Sequence, residues 1–245
     1  MSGHSHAANI AAKKAKTDAA KGKIFTKVGR EIAVAAKNNP DPSTNSKLAD
    51  AIAKAKAANM PNDNIKRCIA KASGELSGSN YEELTYEGYG PAGSAIIIKT
   101  LTDNKNRTVD FVRTTMKRHG GSLGNAGCVS FTFSTIGEIV VERTPTLSED
   151  DVMEYALDSG ADDVVSEDDA FVVNTSVSAF SSVRKYLEEK GLNFFEAEIK
   201  MVPQNKITLD GEDLIKFNRL IDALDDLDDV QNVYHNVDLP EEEEE

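Results

Sequence analysis

The sequence predicts an α+β multidomain protein: an N-terminal helical bundle plus two ferredoxin-like α/β domains, one of them discontinuous. Three observations carry this reading. The first seventy or so residues are rich in Ala, Lys and Asn and contain no alternating Val/Ile run. Beyond Ser77-Gly78-Ser79 the composition changes, and short β-branched runs alternate with stretches of helical periodicity. Residues 136–203 then follow a β-α-β-β-α-β rhythm, the split motif of ferredoxin-like folds.

Ala7 to Ala20 consists mostly of strong helix formers. Gly22 predicts a break. A second helix is expected from about Lys23 to Lys37, with Ile24, Val28, Ile32 and Ala35 on one face. Asn38-Asn39-Pro40-Asp41-Pro42 ends it, because proline cannot continue the hydrogen-bond ladder. Asn45 or Ser46 caps the next helix, which turns Leu48, Ile52 and Ala55 inward. Pro61-Asn62-Asp63 restarts the chain, and Ile65, Cys68 and Ile69 form the following stripe up to Ser73-Gly74.

Tyr81 to Gly88 reads as a strand, Gly90-Pro91-Ala92-Gly93 as a turn, and Ala95-Ile96-Ile97-Ile98 as a buried central strand. Asn104 to His119 is helical, with Val109, Val112 and Met116 on one face. Gly120-Gly121 then leads to Val129-Ser130-Phe131-Thr132-Phe133, an alternating strand. The third region places strands at Ile139–Val141, Asp163–Val165, Ala170–Val173 and Glu196–Met201. Its helices run from Ser148 through Leu157 and from Val177 to Lys190, the latter stopped by Gly191. One more helix, Gly211–Leu227, and one more strand, Val230–Val237, follow. The expected division is a basic helical domain over 1–76, a discontinuous α/β domain over 79–135 plus 204–240, an inserted α/β domain over 136–203, and an acidic tail over 241–245.

The formal net charge of −13 is unevenly distributed. Residues 1–72 hold 14 Lys+Arg against 5 Asp+Glu, a balance of +9, so the remainder carries −22. Such asymmetry points to nucleic acid as the partner of the basic part and keeps phosphate away from the rest. Met1 to His6 has no apolar core of a secretory signal, and no run reaches the ~18 apolar residues of a membrane span. The expectation is a cytoplasmic chain with no membrane contact. Cys68 and Cys128 stand in different domains without metal spacing and read as reduced hydrophobes.

The candidate nucleic-acid contacts are Lys13, Lys14, Lys16, Lys21, Lys23, Lys27 and Arg30, with Lys54, Lys56, Lys66, Arg67 and Lys71 as a second cluster. Lys16, Lys23, Lys27 and Arg30 are spaced by seven, four and three residues, which superposes them on one helical face, and Lys37 extends the row. Lysine outnumbers arginine here and meets phosphate as a point charge, whereas bidentate base reading favours arginine, so backbone-driven binding is expected. Asn104, Lys105, Asn106 and Arg107 form a secondary contact loop, although the same string also reads as a helix N-cap. No metal site, cofactor or small-molecule substrate is expected. His4-x-His6 offers only two ligands, and the acidic run 162–169 lacks calcium-loop spacing. No Walker loop, G-x-S-x-G or H-E-x-x-H is present, so no catalysis is expected.

Several ordered strings match a known family. They include Gly3-His4-Ser5, Lys21-Gly22-Lys23-Ile24-Phe25-Thr26-Lys27, Asn59-Met60-Pro61-Asn62-Asp63-Asn64-Ile65 and Tyr86-Glu87-Gly88-Tyr89-Gly90-Pro91. Leu101-Thr102-Asp103-Asn104-Lys105-Asn106-Arg107 and His119-Gly120-Gly121 belong with them. Over residues 2–240 the chain resembles the YebC/PmpR family of transcriptional regulators, which includes the mitochondrial translational activator of cytochrome oxidase subunit one. The resemblance implies three domains, nucleic-acid binding and regulation of gene expression without catalysis. It implies either DNA, as for a transcriptional regulator, or ribosomal RNA on the ribosome, as for a translation factor that eases difficult stretches such as proline runs. The chain departs from the family where Ser5-His6-Ala7 replaces the usual Ser-Lys-Trp, which removes a stacking or packing surface, and where Ala11, Ala12 and Ala20 replace basic residues.

Overall fold

The computed structural model describes residues 18–73 and 81–239. Along the chain these form α1 (Asp18–Ala36), α2 (Ser46–Ala57), α3 (Asn62–Ser73), β1 (Glu82–Tyr89), β2 (Ala95–Thr102), α4 (Lys105–Arg118) and β3 (Ser122–Leu123). Then come β4 (Phe133–Glu142), α5 (Glu149–Ser159), β5 (Asp163–Ser166), β6 (Ala170–Thr175), α6 (Phe180–Glu189) and β7 (Phe194–Pro203). The last elements are β8 (Ile207–Thr208), α7 (Gly211–Asp225), β9 (Val230–His235) and β10 (Val237–Asp238). The α+β class read from the sequence is the class observed. The chain divides into two compact units, one holding 1–76 with 135–200, the other 77–134 with 201–245.

In the first unit, α1, α2 and α3 close around Val28, Ile32, Ala36, Leu48, Ala55, Met60 and Ile65. Burying a residue the size of Ile32 or Leu48 contributes about 1.5–3 kcal/mol, so a few such positions must carry a core otherwise made of alanine. Asn45 caps α2: its Oδ1 accepts the Leu48 N–H at 3.1 Å, and its Nδ2 donates to the carbonyls of Ala35 and Asn39. One side chain thereby closes both the end of α1 and the start of α2. Gly29 lets α3 approach, since a Cβ there would stand 3.2 Å from the Cys68 sulfur. The break expected at Gly22 is absent. The helix runs through it from Asp18, because one glycine costs only about 1 kcal/mol and the flanking sequence favours helix. Most of the helix expected over Ala7–Ala20 lies outside the described residues, as do His4, His6 and the 241–245 tail.

The same unit contains a four-stranded sheet of order β5-β6-β4-β7 with α5 and α6 packed on it. This is the strand order of the split β-α-β-β-α-β motif. Its core, built on Ile139, Val141, Phe171, Val173, Phe180, Val183 and Leu187, is a separate cluster from that of the helices. Ser148 opens α5 with a capping box to Asp151, and Gly160 ends it at φ +85°. Polar groups link the helices to this α/β part: Arg184, buried on α6, donates to Asp50 on α2 at 2.8 Å and to Glu188. Ser181 also donates to Asp50.

The second unit has a sheet of order β3-β1-β2-β9, with β2 inside it as expected and its neighbouring strands antiparallel. One face packs Ile96, Ile98 and Val230 against Val112 and Met116 of α4 and Phe217, Leu220 and Leu224 of α7. The other face gathers Ala95, Ile97, Val129 and Phe133 with Met201 and Tyr234. The C-terminal helix and strand complete the sheet that residues 81–134 begin. The strand expected at 129–133 is a correction: Ser130–Thr132 is a 3-10 turn, and β4 begins only at Phe133. The Glu87 carboxylate takes the N–H groups of Gly127, Val129 and Ser130, so they cannot enter a ladder. Among the described residues no helix is long and apolar enough to cross a membrane.

Candidate nucleic-acid interface

On α1 the buried positions Val28, Ile32 and Ala36 recur every four residues. At about 100° per residue, Lys23, Lys27, Arg30 and Lys37 fall within an arc of roughly 80° on the opposite side of the helix. Lys23 and Lys37 are exposed, and Lys27 and Arg30 are half-buried. One face of α1 therefore packs and the other carries the cations. The contacts expected at Lys13, Lys14 and Lys16, and the side chain of Lys21, lie outside the described residues.

The second cluster divides. Lys56, near the end of α2, and Lys66, Arg67 and Lys71, on α3, are exposed. Among the described residues no carboxylate or hydrogen-bond acceptor holds their charged ends. The buried stripe of α3, Ile65 and Ala72, faces inward, so these cations project from the bundle. Lys71 also lies close enough to Cys68 to favour its thiolate, but burial prevails and pushes that thiol up.

Lys54 departs from the expectation. Its Nζ lies 3.0 Å from Glu31 Oε1 and 3.5 Å from Glu198 Oε2. The nearby Glu31, Glu198 and Glu196 raise its pKa further than burial lowers it. Lys54 is thus neutralised by carboxylates of its own unit, and it joins α2 to β7 instead of facing solvent. Its sequence neighbours gave no warning, because two of the three carboxylates belong to the inserted segment.

Arg107 of the secondary loop is likewise occupied. Its guanidinium reaches Asp229 at 2.9 Å and Asp103 at 2.8 Å, and hydrogen bonds from it to these two carboxylates raise its pKa. Asp229, buried, also accepts from the hydroxyls of Thr102 and Thr108. Asn104 is the N-cap of α4, its side chain accepting the Arg107 N–H at 3.1 Å. The string from Thr102 to Arg107 therefore builds the start of α4, and only Lys105 and Asn106 extend from it as exposed groups with free side chains among the described residues.

A feature absent from the sequence reading is Glu87. It is 8% exposed, and its two oxygens accept three backbone N–H groups at 2.8–2.9 Å. Burial opposes its charge, but these hydrogen bonds prevail and hold the carboxyl below its ordinary pKa. The visible signal was a carboxylate set among uncharged neighbours, Tyr86, Gly88 and Tyr89. Among the described residues no group of three or more His, Cys, Asp or Glu could hold a metal ion. Both cysteines are free.

Comparison with known proteins agrees with this architecture. Residues 5–75 match the model of the TACO1/YebC protein N-terminal domain, and residues 81–237 match that of the TACO1/YebC second and third domain. A "probable transcriptional regulatory protein ORF2U" of Hathewaya histolytica is 55% identical over 242 residues, covering 98% of both chains. A "probable transcriptional regulatory protein" of Acetivibrio thermocellus is 57% identical over 238 residues, covering 96% of this chain and 98% of its own. The crystal structure of a conserved hypothetical protein from Aquifex aeolicus superposes with a TM-score of 0.81 at 42% identity, over 93% of this chain and 94% of that one. With both family models matched in order and relatives above half identity along nearly its whole length, the chain belongs to the TACO1/YebC family.

Proposed function

We propose that the protein is a cytoplasmic, non-catalytic regulator of gene expression that grips nucleic acid through its N-terminal helical domain. In this reading 1–76 acts as a domain of its own, beside the inserted 136–203 and the discontinuous 79–135 plus 204–240. The observation that carries the reading is the group Lys56, Lys66, Arg67 and Lys71, exposed and without carboxylate partners among the described residues. The basic face of α1 supports it, as do the names of the relatives, which place them among transcriptional regulators. DNA is accordingly the first target. Ribosomal RNA is the second, favoured by the excess of lysine over arginine, which suits phosphate contact more than base reading.

The test uses Lys66→Glu, Arg67→Glu and Lys71→Glu together, and separately Lys23→Glu, Lys27→Glu and Arg30→Glu. Fluorescence anisotropy with a 20-base-pair DNA duplex and with a ribosomal RNA fragment reads the affinity across a salt series. Three lost phosphate contacts reduce the slope of log K against log salt by about 2.7 for duplex DNA. Unchanged affinity and slope in both triple variants would refute the reading. Ultraviolet crosslinking in cells followed by sequencing separates the two targets.

A further inference from the structure

We infer that the protein carries a second nucleic-acid contact, on the other unit, which stacks an unpaired base on Phe131. This deepens the proposed function and rests on it. Phe131 is 73% exposed at the tip of the turn Ser130–Thr132, although its neighbours Val129 and Phe133 are buried. Bare phenylalanine is unfavourable in water, and here the turn that presents it is held by hydrogen bonds on both sides. Glu87 anchors the N–H of Ser130 and those of Gly127 and Val129, which lead into the turn. The Thr132 hydroxyl donates to the Val129 carbonyl at 2.7 Å, and the Thr132 carbonyl accepts from Gln204 N–H at 2.9 Å. Backbone fixed in this way loses little entropy when something lies on the ring it presents.

A second exposed ring borders the same loop. Tyr89, 42% exposed, donates its hydroxyl to the Cys128 carbonyl at 3.0 Å. Positive charge gathers at the same edge. Ser122 of β3 pairs with Tyr89, and Gly121 packs against the Tyr89 carbonyl. The end of α4, with Lys117 and Arg118 both exposed, is therefore brought to the end of β1. Among the described residues no carboxylate pairs with Lys117 or Arg118, in a chain of net charge −13. A held aromatic turn at the same end of the sheet as two cations, within a chain of net negative charge, has the chemistry of a single-strand stacking platform. A protein partner with a basic, apolar face would instead be repelled there.

Phe131→Ala tests the inference in the full-length protein. Phe131 is exposed, so the variant removes no core packing, and Phe131→Trp restores a larger ring. Anisotropy with a 12-nucleotide uridine oligomer, the matching thymidine oligomer and a 12-base-pair duplex forms the three arms. The expected result is about a tenfold loss for single strands in Phe131→Ala, recovery in Phe131→Trp, and an unchanged duplex affinity. Comparison of the uridine and thymidine arms distinguishes RNA from DNA as the source of the base. Equal single-strand affinity in wild type and Phe131→Ala overturns the inference, as does an equal loss for duplex and single strand. If Phe131→Ala is silent while the α3 triple variant loses binding, the inference falls and the proposed function stands. If both are silent, both fall.

Discussion

Replacing Glu87 by Gln removes one charge and one acceptor from beneath the Phe131 turn. The carboxylate gives Oε1 to Gly127 and Oε2 to Val129 and Ser130, all at 2.8–2.9 Å. Glutamine has one oxygen. Turned toward Val129 and Ser130, it keeps two bonds as neutral ones and sets its amide N–H group against the N–H of Gly127. Weakening two charge-assisted bonds and orphaning one donor costs about 2–4 kcal/mol, with the low end favoured because Gly127 is only part-buried and water can reach it. The pH dependence has a definite sign. The folded-state pKa of Glu87 is depressed, so its charge stabilises the fold above the ordinary carboxylate pKa of about 4.3 and ceases to do so as pH falls through the lower folded value. The wild-type advantage over Glu87→Gln is thus complete at neutral pH and shrinks in acid. Urea unfolding at several pH values, with amide exchange at Gly127, Val129 and Ser130, reads both effects. A loss below about 0.5 kcal/mol at neutral pH, with the three amides still protected, would show that the carboxylate does not hold the turn.

Arg184→Ala leaves Asp50 partly buried without its cation and is expected to cost about 3–5 kcal/mol in urea unfolding, whereas Arg184→Leu with Asp50→Leu costs much less; equal costs would deny the coupling. Lys54→Met strands Glu31 and Glu198 and is expected to destabilise the first unit by about 1–3 kcal/mol. Nucleic-acid affinity should remain unchanged in that variant, and a loss of binding without a loss of stability would return Lys54 to the interface. Gly88→Ala drives a Cβ into the Ser122 carbonyl and should unpair β3, seen as rapid exchange at Ser122 and Leu123.

Local chemistry was legible in the residue order. The Asn45 and Ser148 caps, the central strand around Ala95–Ile98 and the opposed apolar and basic faces of α1 each depend on residues within a turn or two of one another. Helix caps and periodicity are short-range, so sequence alone determines them. The charge asymmetry that marks the N-terminal region is equally a property of the chain itself.

Only tertiary structure decided which cations remain available. Lys54 and Lys56 look alike in sequence, yet Lys54 meets Glu31 and Glu198 while Lys56 meets none among the described residues. Arg107 finds Asp229 across 122 residues, and Val129 finds Glu87 across 42. Alternation predicted a strand at 129–133, but a distant carboxylate took its backbone donors. A side chain's charge is set by composition, whereas its freedom depends on which carboxylates the fold brings within about 4 Å, and that distance is non-local.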